Sequence, residues 1–408
     1  ERARVQAPGP TLLLDAGDTF QGTYISNSNQ GMAMVDLMNL AGVDAMALGN
    51  HEFDWGLDVL RARAAQAQYP FLAANLAPDP GVELAGVSPY AILEAGNTRV
   101  GVLGLTYHDL STIVKASAIE GLRSLPPVET AERYLPELQE RSDLIIVLSH
   151  LGEEGDRALA EAVPEIPLIV GGHSHATLHD GLRVGDTLIV QAGAYGAQLG
   201  QVELALDRRR QALLLDETQA RLIPVTGAGG ASEAAAQIVA RWAEQADQVG
   251  SVVVGEAAIA LPRSSETGET ALGNLIVDAM RAADLGDGRA ADIAVHNDGG
   301  IRAPIDAGPI TYAELYAVLP FDNALVGLDL TGAQVRELLE NGMEARGTGI
   351  QVSGLTFTYS MNKPRGRRVM DVTVNGQPLD RERIYRVVTI DYLHTHPDYR
   401  LSLGLGQD

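Results

Sequence analysis

Four short segments of this sequence carry side chains that could do chemistry together. They are Asp15-Ala-Gly-Asp18, Gly49-Asn50-His51-Glu52-Phe-Asp54, Ser149-His150-Leu-Gly152 and Gly171-Gly172-His173-Ser174-His175. Carboxylate, carboxamide and imidazole are the donors expected around a hard-to-borderline divalent cation. The chain has no cysteine, so a metal here must be held by such groups. Asp18, with two oxygens, could bridge two ions. Asn50, His150 and His173 would complete one site, and His175 would belong to the other. Two ions about 4 Å apart can generate a hydroxide, orient a phosphoryl group and stabilise the attacking and leaving oxygens. Each motif alone has a bland reading: Gly-Asp after a strand is a common turn, and Ser-His-Leu-Gly an ordinary hydrogen-bonded histidine. The four in succession, each after its own strand, point to one site.

The elements that must position these residues follow from the apolar pattern. Buried strands are predicted at Thr11–Asp15, Ala45–Leu48, Phe71–Ala74, Val100–Leu105, Leu144–Leu148 and Leu168–Val170. Helical spacing of apolar residues marks Met32–Leu40, Leu57–Gln66, Glu129–Arg141 and Glu154–Ala162. The alternation implies a layered α/β domain, whose ligands gather at the carboxyl ends of the strands. Strands near Thr187–Gln191 and Leu199–Leu206 have no helix between them, so part of the sheet is expected to be antiparallel. Gly227–Gly230 and a polar helix over Glu233–Ala246 read as a linker. A second unit follows, with helices at Leu272–Ala283, Tyr312–Val318 and Gly332–Met343 and strands around Ile293–His296, Leu325–Leu330, Gly354–Tyr359 and Val369–Val374. The expected division is 1–225, a linker at 226–250, and 251–408, consistent with 408 residues being long for a single core.

Composition narrows the function. A formal net charge of −23 argues against a nucleic-acid polymer as partner, because phosphate backbones need a basic face. A small anion remains compatible, since metals and a few arginines reverse the field locally. No apolar run reaches the roughly 18 residues of a membrane span. The first residues lack the basic and apolar regions of a signal peptide.

With these motifs in this order the sequence resembles the calcineurin-like metallophosphoesterases, and within them the two-domain 5′-nucleotidase and UDP-sugar hydrolase family. The likeness covers nearly the whole chain. It implies a metallophosphoesterase β-sandwich flanked by helices, followed by a smaller α+β substrate-binding domain. It implies two divalent ions (Zn, Mn, Co or Mg) with Asp18 bridging, Asn50, His150 and His173 completing one site, and His175 in the other. It makes His51 and Asp54 the catalytic pair: His51 stabilises charge on the phosphoryl transition state or protonates the leaving oxygen, and Asp54 orients it. A periplasmic, secreted or cell-surface location is the family's habit. The family's Asp-x-His on the first strand has no counterpart in Glu1–Pro10, and we expect it to lie ahead of Glu1.

The second half holds candidates to read a substrate: Asn297-Asp-Gly-Gly-Ile-Arg302, Arg263 ahead of a turn into a helix, Pro320-Phe321-Asp-Asn323, and Tyr392 before Asp398. Taken alone, Arg302 reads equally as a surface arginine and Phe321 as core. The resemblance implies that Phe321 and Tyr392 clamp a nucleobase, Arg263 and Arg302 meet phosphate, Asn297 and Asn323 bond the base or nearby groups, and Asp398 meets ribose hydroxyls. Two positions depart from the family: tyrosine replaces the second phenylalanine, and the Gly-Gly-Asp-Gly-Tyr loop reads His396-Pro-Asp-Tyr399. The expected activity is hydrolysis of nucleotide phosphate esters, with UDP-sugars or 2′,3′-cyclic nucleotides as further substrates. Two alternatives stand beside it: a non-catalytic nucleotide-binding protein, and a sulfohydrolase of the same superfamily.

Overall fold

The computed structural model describes residues 2–207, 212–226, 230, 232–265, 268–344 and 349–395. Asp398, Gly227 and Gly229 therefore lie outside the described residues. The chain forms two compact units, Glu1–Gln245 and Ala246–Asp408. Among the described residues no helix is long and apolar enough to cross a membrane.

The first unit is built on two sheets. One is a parallel set in the order β1 (Leu14–Asp15), β2 (Ala45–Ala47), β3 (Phe71–Leu72), β4 (Val87–Ser88). The other runs β9 (Leu182–Val184), β10 (Thr187–Val190), β8 (Leu168–Gly171), β7 (Leu144–Ser149), β6 (Thr98–Leu105), β5 (Tyr90–Ala95). Its middle strands are parallel, and the outer pairs β9–β10 and β5–β6 are antiparallel. Antiparallel pairing thus appears at the two edges. The Leu199–Leu206 segment departs from its expected place: Gln198–Glu203 instead pairs with Gln219–Pro224 in a separate ladder.

Side-chain alternation divides the interior into layers. On β7, Leu144, Ile146 and Leu148 face Ala45 and Ala47 of β2 and Leu72 of β3, forming the core between the sheets. Ile145 and Val147, pointing the other way, meet Ala131, Leu135 and Leu138 of α3 (Pro127–Arg141) and Leu159 of α4 (Glu153–Ala162). Met46 and Leu48 pack with Val35 of α1 (Met32–Ala41) and Leu60 of α2 (Gly56–Gln66) on the outer face of the first sheet. A two-residue side-chain period explains why β7 is apolar from Leu144 to Leu148: both of its faces are covered. Gly104 permits the close approach of the sheets, since a Cβ there would lie 2.5 Å from the Leu72 carbonyl carbon. Helix α3 starts two residues before the expected Glu129 because Pro127 occupies its first turn, where a missing N–H costs nothing.

The helix expected over Glu233–Ala246 runs over Glu233–Gly250 as α5. It is tied to the first unit through Asp36 of α1, whose Oδ2 accepts the Trp242 indole N–H at 3.0 Å and meets the Arg241 guanidinium at 2.5 Å.

The second unit centres on a four-stranded sheet in the order β12 (Leu325–Thr331), β14 (Ile384–Ile390), β11 (Ile293–Asn297), β13 (Ile350–Ser353). Strands β11 and β14 run parallel, and the outer strands are antiparallel to them. Threonine caps recur at its helix starts, Thr331 among them. Thr270 accepts the Gly273 N–H at 2.8 Å at α6 (Ala271–Ala282), and Thr311 accepts that of Glu314 at 3.2 Å at α7 (Tyr312–Val318). The edge strand β13 and the interior strand β14 were not anticipated, because Gln351, Arg386 and Thr389 break up their apolar runs.

Candidate metal centre and substrate-binding residues

Strands β1, β2, β7 and β8 of the first unit belong to parallel sets, and each of the four motifs leaves the carboxyl end of one of them. Donor atoms of Asp18, His150 and His173 come within 4.8 Å of one another. Asn50, buried, lies with Oδ1 3.0 Å from His173 Nδ1. His175 stands outside this trio, its ring centroid 5.3 Å from that of Tyr195.

The backbone is bent sharply to achieve this. Asp18, His173 and His175 have φ of 62°, 68° and 58°, a left-handed conformation that costs non-glycine residues about 1–3 kcal/mol each and persists only where surroundings enforce it. Three expected ligands thus number among the few strained positions of the described chain. Close packing accompanies the strain. A Cβ on Gly49 would collide with Asp18 Oδ1 and lie 2.7 Å from His150 Cε1, so only glycine lets the β2 loop pass beneath these two side chains.

The donors suit a cation. His150 is fully buried; its Nδ1–H donates to the Ala16 carbonyl at 2.5 Å, which aims Nε2 at Asp18 Oδ2, 3.0 Å away. The approach lacks hydrogen-bond geometry, and this Nε2 has no other hydrogen-bond partner among the described residues. A buried, oriented imidazole nitrogen beside a carboxylate is the arrangement a divalent ion needs. For Asp18, burial acts to raise the pKa, but the charges of His150 and His51 outweigh it and hold the carboxyl well below its ordinary value. Burial acts to lower the His150 pKa, and the Asp18 carboxylate overcomes it. His173 is pushed down to about 3, first by burial and then by the charge of His150, so its ring is neutral and ligand-competent near pH 7.

His51 begins a short 3₁₀ turn, His51–Phe53. Its Nδ1 lies 2.9 Å from Asp54 Oδ2, and its backbone N–H donates to Asp18 Oδ1 at 2.9 Å. One oxygen of Asp18 is therefore already engaged by the chain that carries the expected catalytic pair. Asp15 is occupied locally, accepting the Gly17 N–H and the Thr19 hydroxyl, both at 2.8 Å.

Sequence reasoning passed over Glu52, although it lies inside a quoted motif. Its carboxylate is fully buried and accepts four backbone N–H groups: Gly49 at 2.7 Å, Asp18 at 2.8 Å, Thr19 at 2.7 Å and Phe20 at 3.2 Å. It joins the loop after β1 to the loop after β2. Burial, and then the Asp18 charge, push its pKa up to about 7. The signal available in the sequence was a carboxylate flanked by Asn, His and Phe with no solvent-facing reason to be there.

In the second unit the topology gathers the expected substrate residues at one end of the sheet. Asn297 closes β11 and Tyr392 follows β14, its parallel neighbour. The Phe321–Asn323 turn leads into β12 at the same end, where Leu325 pairs with Ile390 and the Asp391 N–H donates to the Ala324 carbonyl at 2.9 Å. The Arg302 guanidinium lies 5.7 Å from the Phe321 ring centroid, and Arg263 donates to the Arg302 carbonyl at 3.2 Å. Asn297 is buried with no hydrogen-bond partner for Oδ1 among the described residues, which leaves an acceptor for an incoming donor.

Both units have counterparts among known proteins. Residues 2–177 match the family described as calcineurin-like phosphoesterase, and residues 249–399 match 5′-nucleotidase, C-terminal domain. The trifunctional nucleotide phosphoesterase protein YfkN of Bacillus subtilis (strain 168) is 33% identical over 432 residues, covering 94% of this chain; the chain spans 29% of that relative's length. The crystal structure of a 5′-nucleotidase precursor from Thermus thermophilus is similar with a TM-score of 0.84 at 32% identity, over 98% of this chain and 83% of that one. The sulfate thiohydrolase SoxB of Thermus thermophilus is similar with a TM-score of 0.79 at 25% identity, over 93% and 70% of the two chains.

Proposed function

We propose a function on one premise: this chain belongs to the 5′-nucleotidase family of calcineurin-like phosphoesterases. It hydrolyses phosphate esters of nucleotides, of the 5′-nucleotidase type, with two divalent ions as cofactors and a small nucleotide as substrate. UDP-sugars and 2′,3′-cyclic nucleotides are further candidates, and by family habit the enzyme acts outside the cytoplasm. The observation that carries the reading is the meeting of Asp18, His150 and His173, with Asn50 against His173, beside a His51–Asp54 pair.

Bound divalent ions supply Lewis acidity at the phosphoryl oxygens and lower the pKa of a water. Asp18, Asn50, His150, His173 and His175 hold them. His51 is turned by Asp54: with Nδ1 bonded to that carboxylate, the ring offers Nε2 to a phosphoryl oxygen or to the leaving oxygen. Arg263 and Arg302 present planar cations to phosphate. Phe321 and Tyr392 offer π-faces that tolerate different bases, and Asn297 and Asn323 add amide contacts. Asp398, proposed for ribose, lies outside the described residues.

A second reading has one observation in its favour, the similarity to a sulfate thiohydrolase. One experiment separates the possibilities. The chelator-treated protein is assayed on 5′-AMP, UDP-glucose and a thiosulfonate ester with and without added Mn²⁺, Zn²⁺ or Co²⁺. Metal-restored release of phosphate from 5′-AMP supports the proposal. Turnover of the sulfur ester alone supports the second reading. Tight nucleotide binding without turnover under every metal would leave a binding protein and defeat both.

A further inference from the structure

A side chain outside the four motifs is hydrogen-bonded into the loop that bears two of the proposed ligands. Gln191 follows β10 directly, and the parallel register of β10 with β8, pairing Val190 with Val170, sets it beside the Gly171–Ala176 turn. It is buried, 4% exposed. Its carboxamide makes three hydrogen bonds into that turn. Nε2 donates to the Gly172 carbonyl, while Oε1 accepts the Ser174 hydroxyl at 2.8 Å and the Ala176 N–H. The orientation of the amide follows from its partners, because a carbonyl can only accept and an N–H can only donate.

The bonded residues are 172, 174 and 176; the residues between them are His173 and His175, both with left-handed φ. Gln191 thus holds the chain on either side of each strained histidine. Other contacts fix the same strip: the Leu178 N–H donates to the Gln191 carbonyl at 3.1 Å, the Gly193 N–H to that of Ala176 at 2.9 Å, and the Glu153 N–H to the Ser174 hydroxyl at 3.0 Å.

We propose that Gln191 is a positioning residue of the metal centre, its carboxamide imposing the two left-handed turns that aim the His173 and His175 rings. The inference rests on the metal-dependent reading above and adds to it a specific requirement at position 191 for one group that both donates and accepts. Leucine meets neither part. Ionised glutamate keeps the acceptor, but sets an oxygen against the Gly172 carbonyl.

The test uses the full chain, stripped of metal and titrated with Co²⁺ alone, reading affinity by chelator competition and ligand geometry from the visible absorption of cobalt. Gln191→Leu is expected to bind cobalt about 10- to 100-fold more weakly and to change the spectrum, with a cooperative thermal transition retained. Gln191→Glu and Ser174→Ala should fall between it and the wild type. A folded Gln191→Leu protein with wild-type affinity and spectrum overturns the proposal. Should Gln191→Leu fail to fold, the two milder variants decide it: weakened cobalt binding with a shifted spectrum supports the clamp, and wild-type values in both overturn it. A wild-type protein that takes up no cobalt removes the metal reading and the clamp together, which is distinct from uptake that Gln191→Leu matches.

Discussion

Glu52 lies beneath Asp18 and accepts its backbone N–H at 2.8 Å through the same oxygen that takes the Gly49 N–H at 2.7 Å. A buried carboxylate therefore holds the β1 and β2 loops in register while a second carboxylate, on the strained residue above, faces His150. Removing Glu52 would leave four backbone donors without their acceptor, those of Gly49 and Phe20 in buried surroundings. Glu52→Ala is expected to cost about 3–5 kcal/mol, the range for an abandoned buried polar partner set. Glu52→Gln should also destabilise, since its NH₂ must face two N–H donors whichever way it turns. Urea denaturation, with the slope unchanged and the midpoint lowered, measures this; a wild-type midpoint for Glu52→Ala would show that the loops are held by something else.

The Asp54 carboxylate accepts at His51 Nδ1, so it favours the tautomer with the proton on that nitrogen. Asp54→Asn keeps the shape but can offer its NH₂ to Nδ1, favouring the other tautomer. Steady-state kinetics on 5′-AMP should give a kcat lower by about 10²–10⁴-fold, the range for a positioned acid or base, with KM near wild type. Metal content should not change, because neither residue belongs to the Asp18–His150–His173 trio. A fall in bound metal that tracks the fall in kcat would reassign the pair as ligands.

Phe321 is the aromatic face whose neighbourhood is best defined, with Arg302 beside it and the Asn323 turn next to the residues after β14. Phe321→Ala is expected to raise KM about 5- to 150-fold, equivalent to roughly 1–3 kcal/mol of base stacking. The effect should be similar for 5′-AMP and 5′-UMP and absent for ribose 5-phosphate, which has no base to stack. An equal rise for ribose 5-phosphate would mean that the ring orders Arg302 and does not touch the base.

Much of this was legible in the sequence, for identifiable reasons. Continuous apolar runs such as Leu144–Leu148 read correctly because strands covered on both faces need no polar residues. The glycines around Asp18, His150 and His173 marked where chain and ligand loops approach closely. What failed to read was what depends on distant partners. Glu52 bonds to residues up to 34 positions away, and the Gln191 side chain to residues 15 to 19 away. Neither distance leaves a local pattern. The left-handed backbone at Asp18, His173 and His175 is equally silent, because no glycine announces it. Strand β14 was missed where Arg386 and Thr389 sit among its apolar residues, although it lies in the interior of its sheet.

Asp156 offers the clearest dependence on pH. It is fully buried on α4 behind the β7 terminus, accepts the Ser149 hydroxyl at 2.5 Å through Oδ1, and has no hydrogen-bond partner for Oδ2 among the described residues. Burial pushes its pKa up to about 7, against the opposing hydrogen bond from Ser149. An unfolded aspartate titrates near 3.9. Below about pH 4 both states hold the proton and its favourable contribution to folding is complete. Between about pH 4 and 7 the unfolded chain releases the proton while the folded one keeps it, so that contribution is lost as pH rises through the folded value. Asp156→Asn fills the same space without titrating, and it should flatten this part of the profile. Its melting temperature is expected to fall less than that of the wild type between pH 5 and pH 7.5, measured on metal-free protein so that loss of ligand binding does not enter. Parallel melting curves for the two proteins across that range would mean that Asp156 is ionised throughout, with a partner for Oδ2 such as a buried water.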